Sequence, residues 1–137
     1  MKIAEKKAFR ASNETLASSV QSLNDARGLT LNATIDPAPV ETYDFDALGH
    51  SKTDVLGALG KVPASILDAM STIAEDADYH EAFQEIAEVV FVPNADAKGY
   101  DFDYDQAAAL EGDKLKVSYA PLAYMHGGYE RSIKNCF

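Results

Sequence analysis

The hydrophobic period of the chain changes at Gly28, from that of a helix to that of a strand. In residues 3–27, Phe9, Leu16, Val20 and Leu23 lie at offsets 0, 7, 11 and 14 and so share one helical face. Lys6, Lys7, Arg10, Glu14 and Asp25 point elsewhere, and Gly28 stands where a helix-ending glycine is expected. Leu29 to Asp36 then alternates apolar and polar, placing Leu29, Leu31, Ala33 and Ile35 on one face of a half-buried strand. Pro37 and Pro39 end it, because neither can donate a ladder hydrogen bond. A helical stripe and a strand face this close in sequence call for a core of helix packed on sheet.

The remaining punctuation fills in that plan. Residues 37–50 read as loop, with a short extended piece at Tyr43–Asp46. Ser51 and Asp54 resemble a capping box opening a short helix over Val55, Leu56 and Leu59, weakened by Gly57 and Gly60. Pro63 fits the first turn of a further helix with Ile66, Leu67, Met70 and Ile73 as its buried stripe. Asp78 and Glu81 form a second box-like pair before Phe83, Ile86 and Ala87. Strands are predicted at Val89–Val92, Tyr100–Asp105 and Lys114–Tyr119, with Glu111-Gly112-Asp113 as a turn and Gln106–Leu110 as a helical turn. A last helix over Tyr129–Phe137 would bury Tyr129, Ile133 and Phe137. The order predicts one α+β domain over residues 1–137, with an N-terminal helix and a central helical segment on a three- to four-stranded antiparallel or mixed sheet.

Charge is unevenly spread. Eighteen of the 22 acidic residues fall between Asp36 and Asp113, against Lys52, Lys61 and Lys98 alone, for a net −15 there. The two ends carry +2 and +3, which leaves the chain at −10. Such a field biases which partners approach and how fast. Tyr-Asp-Phe-Asp occurs at residues 43–46 and again at 100–103, although the residues that follow differ. In the predicted strand, Tyr100, Phe102 and Tyr104 would share one face and Asp101, Asp103 and Asp105 the other. Same-face neighbours would then lie about 6.6 Å apart, comparable to successive nucleic-acid phosphates. Glu81, Glu85 and Glu88 are spaced as one helical stripe. Exposed strand faces are polar in any case, so solubility explains the same residues equally simply.

Motifs for chemistry fail on particular residues. Asp101, Asp103 and Asp105 match the first three ligand positions of a calcium loop, but the glycine position holds Gln106 and the bidentate glutamate position holds Gly112. A frame starting at Asn94 puts Lys98 at a ligand position. His80-Glu81-Ala82-Phe83-Gln84 lacks the second histidine of the zinc-protease helix. Gly57–Val62 resembles the end of a phosphate loop without its first glycine. His126 precedes the flexible pair Gly127-Gly128. Cys136 is next to the last residue, so no preorganised nucleophile site and no internal disulfide are expected.

The sequence therefore predicts a small acidic, non-catalytic binding protein that docks a basic protein partner, in an inhibitor, immunity-type or nucleic-acid-mimic role. Asp101, Asp103, Asp105, Glu81, Glu85 and Glu88 would supply charge; Tyr43 and Tyr104 would supply exposed anchors. No metal or cofactor, no direct nucleic-acid binding and no membrane span are expected, in a cytoplasmic monomer or homodimer. Two other classes stay open: a structural or oligomeric domain, and a small enzyme or ligand-binding domain using carboxylates or His80.

Overall fold

The long helix forms as its period predicts. In the computed structural model, which describes residues 1–137, α1 spans Ile3–Arg27 and buries Ser12, Leu16 and Leu23. The Glu5 carboxylate accepts the Lys2 N–H at 2.9 Å at its start. At its end Gly28 takes the left-handed conformation (φ 63°), and Leu29 N–H donates to the Asn24 carbonyl at 3.0 Å. Leu29, Leu31 and Ile35 are buried and Ala33 half-buried, as the alternation requires, yet the ladder covers only β1, Asn32–Ile35. The reason is Asn24. Its side-chain amide donates to Leu31 O at 2.9 Å and accepts from Leu31 N at 3.0 Å, occupying both groups of that residue before a neighbouring strand can.

Between β1 and the next strand the regular elements are all helical. The expected extended piece at 43–46 is confined to Tyr43 and Asp44, which link a 3-10 turn over Ala38–Thr42 to α2, Phe45–Leu48. The Asp44 carboxylate accepts from Ala47 N at 3.2 Å, so the first Tyr-Asp-Phe-Asp is a helix start. Ser51 caps α3 (Lys52–Ala58) through Asp54 N at 3.1 Å, as expected. Pro63 lies in the first turn of α4 (Lys61–Ile73), and Ile66, Leu67, Met70 and Ile73 are its buried stripe. The cap of α5 (Ala77–Gln84) is Asp76, which accepts from Asp78 N at 2.9 Å; Asp78 lies inside the first turn instead.

The sheet is mixed, ordered β1-β2-β4-β3, with β2 at Glu88–Pro93, β3 at Ala108–Glu111 and β4 at Lys114–Tyr119. β1, β2 and β4 run parallel; β3 pairs antiparallel with β4 across the Gly112 turn (φ 64°). The predicted helical turn at 106–110 is thus mostly strand. The predicted strand at 100–105 is a loop closed by a 3-10 turn over Tyr104–Gln106. Short-range aspartate hydrogen bonds win there. Asp103 accepts from Asp105 N at 3.1 Å, and the Asp101 N–H goes to the Asp96 carboxylate at 2.7 Å rather than to a ladder. A last short helix, α6, spans Glu130–Lys134; Ile133 within it and Tyr129 just before it are buried. Phe137 is 42% exposed, against expectation, with its ring edge-on to that of Phe83, centroids 5.5 Å apart.

One sheet face supplies Ile35, Val89, Phe91, Leu115, Val117 and Tyr119 to a single core of 27 buried residues shared with the helices. The other face, including Thr34, Glu88, Val90, Lys114 and Lys116, is exposed or half-buried. No helix is long and apolar enough to cross a membrane.

The crossing of α1 with the α3–α4 junction rests on one hydroxyl. Buried Ser12 donates through Oγ to Leu56 O at 2.6 Å and accepts from Gly60 N at 3.2 Å. A Cβ on residue 60 would lie 2.6 Å from the Ser12 carbonyl oxygen, so only glycine lets the backbones meet. Ser12→Ala should cost about 1–3 kcal/mol by leaving a buried N–H and carbonyl unpaired. Gly60→Ala should cost about 1–3 kcal/mol or more by forcing the helices apart. Because the two share one contact, the double variant should lose less than the two costs combined in urea unfolding.

Candidate functional site

Parallel strands deliver their following segments to a common end, and the acidic residues gather there. The segment after β1 carries Asp36, Glu41, Asp44 and Asp46; the segment after β2 carries Asp96, Asp101, Asp103 and Asp105. Of the eighteen belt carboxylates only five have a cation within 4.0 Å: Glu41 (Lys52, 2.6 Å), Glu75 (Arg27, 3.2 Å), Glu88 (Lys114, 3.7 Å), Glu111 (Lys116, 3.5 Å) and Asp105 (Arg131, 3.9 Å). At the strand ends, Asp36, Asp44, Asp46, Asp96, Asp101 and Asp103 therefore keep their charge uncompensated by a contact pair. All of these but Asp96 are exposed, and Asp96 is half-buried.

The predicted site residues do not form one surface. Asp101, Asp103 and Asp105 lie past the C-terminal end of β2, in a turn rather than a row, so the regular spacing expected of a strand is lost. Glu81, Glu85 and Glu88 are not one helical stripe: α5 ends at Gln84, Glu85 is its C-cap, and Glu88 opens β2. They lie at the opposite end of the sheet, where Ala87 N–H donates to Asp113 O at 2.8 Å. A six-residue strand separates the two groups by roughly 17–20 Å.

The two predicted tyrosine anchors turn inward. Tyr43 is buried, its ring edge-on to Phe45 and its hydroxyl donating to Asn94 O, which ties the segment after β1 to the segment after β2. Tyr104 is half-buried between two glycines, with its ring 5.1 Å from Tyr129 and 4.8 Å from Phe102. Gly99 (φ 76°) leaves room for the Tyr104 hydroxyl, and Gly128 (φ 100°) for the ring. These contacts, with Leu122 N–H donating to Ala97 O at 2.8 Å, interlock residues 94–106 with residues 120–129.

What these loops expose is a different set of side chains. Tyr100 is 82% exposed, Tyr124 fully exposed and Met125 73% exposed. Tyr100 had a place in the sequence pattern, but on the apolar face of a strand that does not form. Tyr124 and Met125 fall in no periodic segment, so the only available signal was two large side chains in a stretch without a core period.

The histidines have other surroundings. Nε2 of His80 is 2.6 Å from Arg27 O; a carbonyl only accepts, so Nε2 carries the proton and caps the end of α1. His80 is thereby engaged in structure. His50 and His126 share a groove of about 360 Å³ with Asp54 and Lys61. No group of three or more His, Cys, Asp or Glu side chains is placed to hold a metal ion. Burial pushes the Cys136 thiol up, away from the thiolate form a nucleophile needs.

Compared with protein-family models, with curated proteins and with solved structures, the chain matches none.

Three phenols hold this end together. Besides Tyr43, Tyr119 donates to Leu59 O at 2.9 Å, and the Tyr129 hydroxyl accepts from Ala120 N at 3.3 Å. Burial raises all three above the usual phenol value; the Ala120 N–H partly opposes this at Tyr129, which is pushed up to about 12. A raised folded value means that the folded state holds the proton more tightly. This contribution is intact below about pH 10 and is lost as pH rises from about 10 through 12. The urea midpoint should fall across that window, and the fall should be shallower in Tyr129→Phe, whose baseline stability drops by about 1 kcal/mol.

Proposed function

We propose that this chain is a small non-catalytic acidic protein that docks a basic protein partner at the C-terminal end of its parallel strands, in an inhibitor or immunity-type role. One observation carries the reading: Tyr100, Tyr124 and Met125 stand out from two interlocked loops beside carboxylates that have no cationic partner. Tyrosine and methionine are enriched at interface centres, where a rigid aromatic fills a partner pocket while its surround excludes water. Asp46, Asp101 and Asp103, with Asp105 on exchanging its own Arg131 (3.9 Å), would then face the arginines and lysines that a nucleic-acid-binding partner uses on phosphate. The nucleic-acid-mimic form of this role no longer has a regular carboxylate row behind it; total charge and the anchors support docking.

Charge here acts mainly on encounter. Association should be fast at low salt and slow steeply as salt rises, since exposed charges farther apart than about 8–10 Å are screened at physiological ionic strength. The wild-type chain should capture a basic protein from native lysate at low salt. Against that protein, Asp101→Lys with Asp105→Lys should lower the association rate at least about tenfold and flatten its salt dependence. Tyr124→Ala should raise the dissociation constant about tenfold or more. Unchanged capture by both variants would remove this end of the molecule as the docking site.

A further inference from the structure

At the same end, a groove of about 470 Å³ runs between α2 and residues 95–100. Its walls are mixed in a particular way. Ala47, Leu48 and Ala97 supply an apolar surface, and the largely exposed ring of Tyr100 stands at the edge. Asp44 and Asp96 supply the carboxylates, and neither has a cation within 4.0 Å. We propose, resting on the docking role above, that this groove receives an arginine side chain of the basic partner.

Hydrogen-bond capacity supports a donor-rich guest. Asp44 uses Oδ1 to accept Ala47 N–H at 3.2 Å, and its Oδ2 makes no hydrogen bond within the protein. Asp96 accepts Gly99 N–H at 3.2 Å and Asp101 N–H at 2.7 Å, one on each oxygen, and each oxygen keeps a second lone pair. Lys98 lines the same groove and opposes a cation, but the two lining carboxylates, Asp44 and Asp96, outnumber it. An anionic guest would meet those carboxylates and is disfavoured.

Arginine fits better than lysine on three counts. Its planar guanidinium can stack on the Tyr100 ring while a carboxylate accepts two of its N–H groups. It is more weakly hydrated than an ammonium, so entering an apolar-walled groove costs it less. Its methylenes can lie along Ala47 and Leu48 while the charge stays at the rim.

The test uses the full chain and three blocked tripeptides, Gly-Arg-Gly, Gly-Lys-Gly and Gly-Leu-Gly, titrated at low salt and followed by amide NMR shifts. The arginine probe should move the amides of Ala47, Ala97 and Tyr100 and bind about two- to fivefold tighter than the lysine probe, the size of an exposed cation–π contact. Asp44→Asn keeps a competent helix cap while removing the charge, and should weaken the arginine probe, as should Tyr100→Ala. Equal groove shifts from all three probes, or no effect of either substitution, would overturn the arginine assignment. Arginine-probe shifts confined to residues 101–106 and 124–125 would overturn the groove and leave the docking role standing. No shift with either the arginine or the lysine probe would overturn both.

Discussion

The close crossing of α1 with the α3–α4 junction is the contact on which the rest of the fold depends. Ser12 and Gly60 bring two backbones together where an added methyl group would clash, and one hydroxyl serves a carbonyl and an N–H at once. That crossing fixes the helical layer against which β1, β2 and β4 bury Ile35, Phe91 and Val117. Tyr119, on the last residue of β4, then reaches back to Leu59 at the same junction. Residues 56–60 thus hold α1 through Ser12 and the sheet through Tyr119. Small errors at this point would propagate, because packed interiors transmit strain rather than absorb it.

The acidic end depends on aspartates that have two uses. Asp44, Asp96 and Asp103 each accept a backbone N–H, so they shape the turns in which they sit. Exposed or half-buried, they also leave negative charge at the surface. Neutral substitution to asparagine separates these uses where a single acceptor oxygen suffices, as at Asp44, and cannot do so at Asp96, where both oxygens are engaged. The buried phenols of Tyr43 and Tyr129 hold the turns from beneath, which frees Tyr100 and Tyr124 to remain outside.

Legibility in the sequence followed the range of the interaction responsible. The α1 period, the Gly28 stop, the Ser51 cap and the α4 stripe are set within a few residues and formed as read, as did the inward face of 29–36, although its ladder is only Asn32–Ile35. Asp101, Asp103 and Asp105 misled because the same alternating pattern serves a strand or a series of aspartate-closed turns. Glu81, Glu85 and Glu88 misled because helical spacing continued past the residue where the helix stops. β3 was missed because Ala108–Glu111 has little character of its own and becomes a strand by pairing with β4.

By itself the sequence determined the class of fold, one helix-on-sheet domain, and an acidic middle too large for its own cations to neutralise. Both follow from composition and local period, which need no knowledge of distant contacts. Tertiary structure alone decided where that charge gathers and which aromatics accompany it. Parallel strands carry residues 36–50 and 94–107, far apart in sequence, to one end of the sheet, where a long-range phenol hydrogen bond draws Tyr43 inward and ring packing on Phe102 and Tyr129 draws in Tyr104. Tyr100 and Tyr124, in the same two loops, stay exposed.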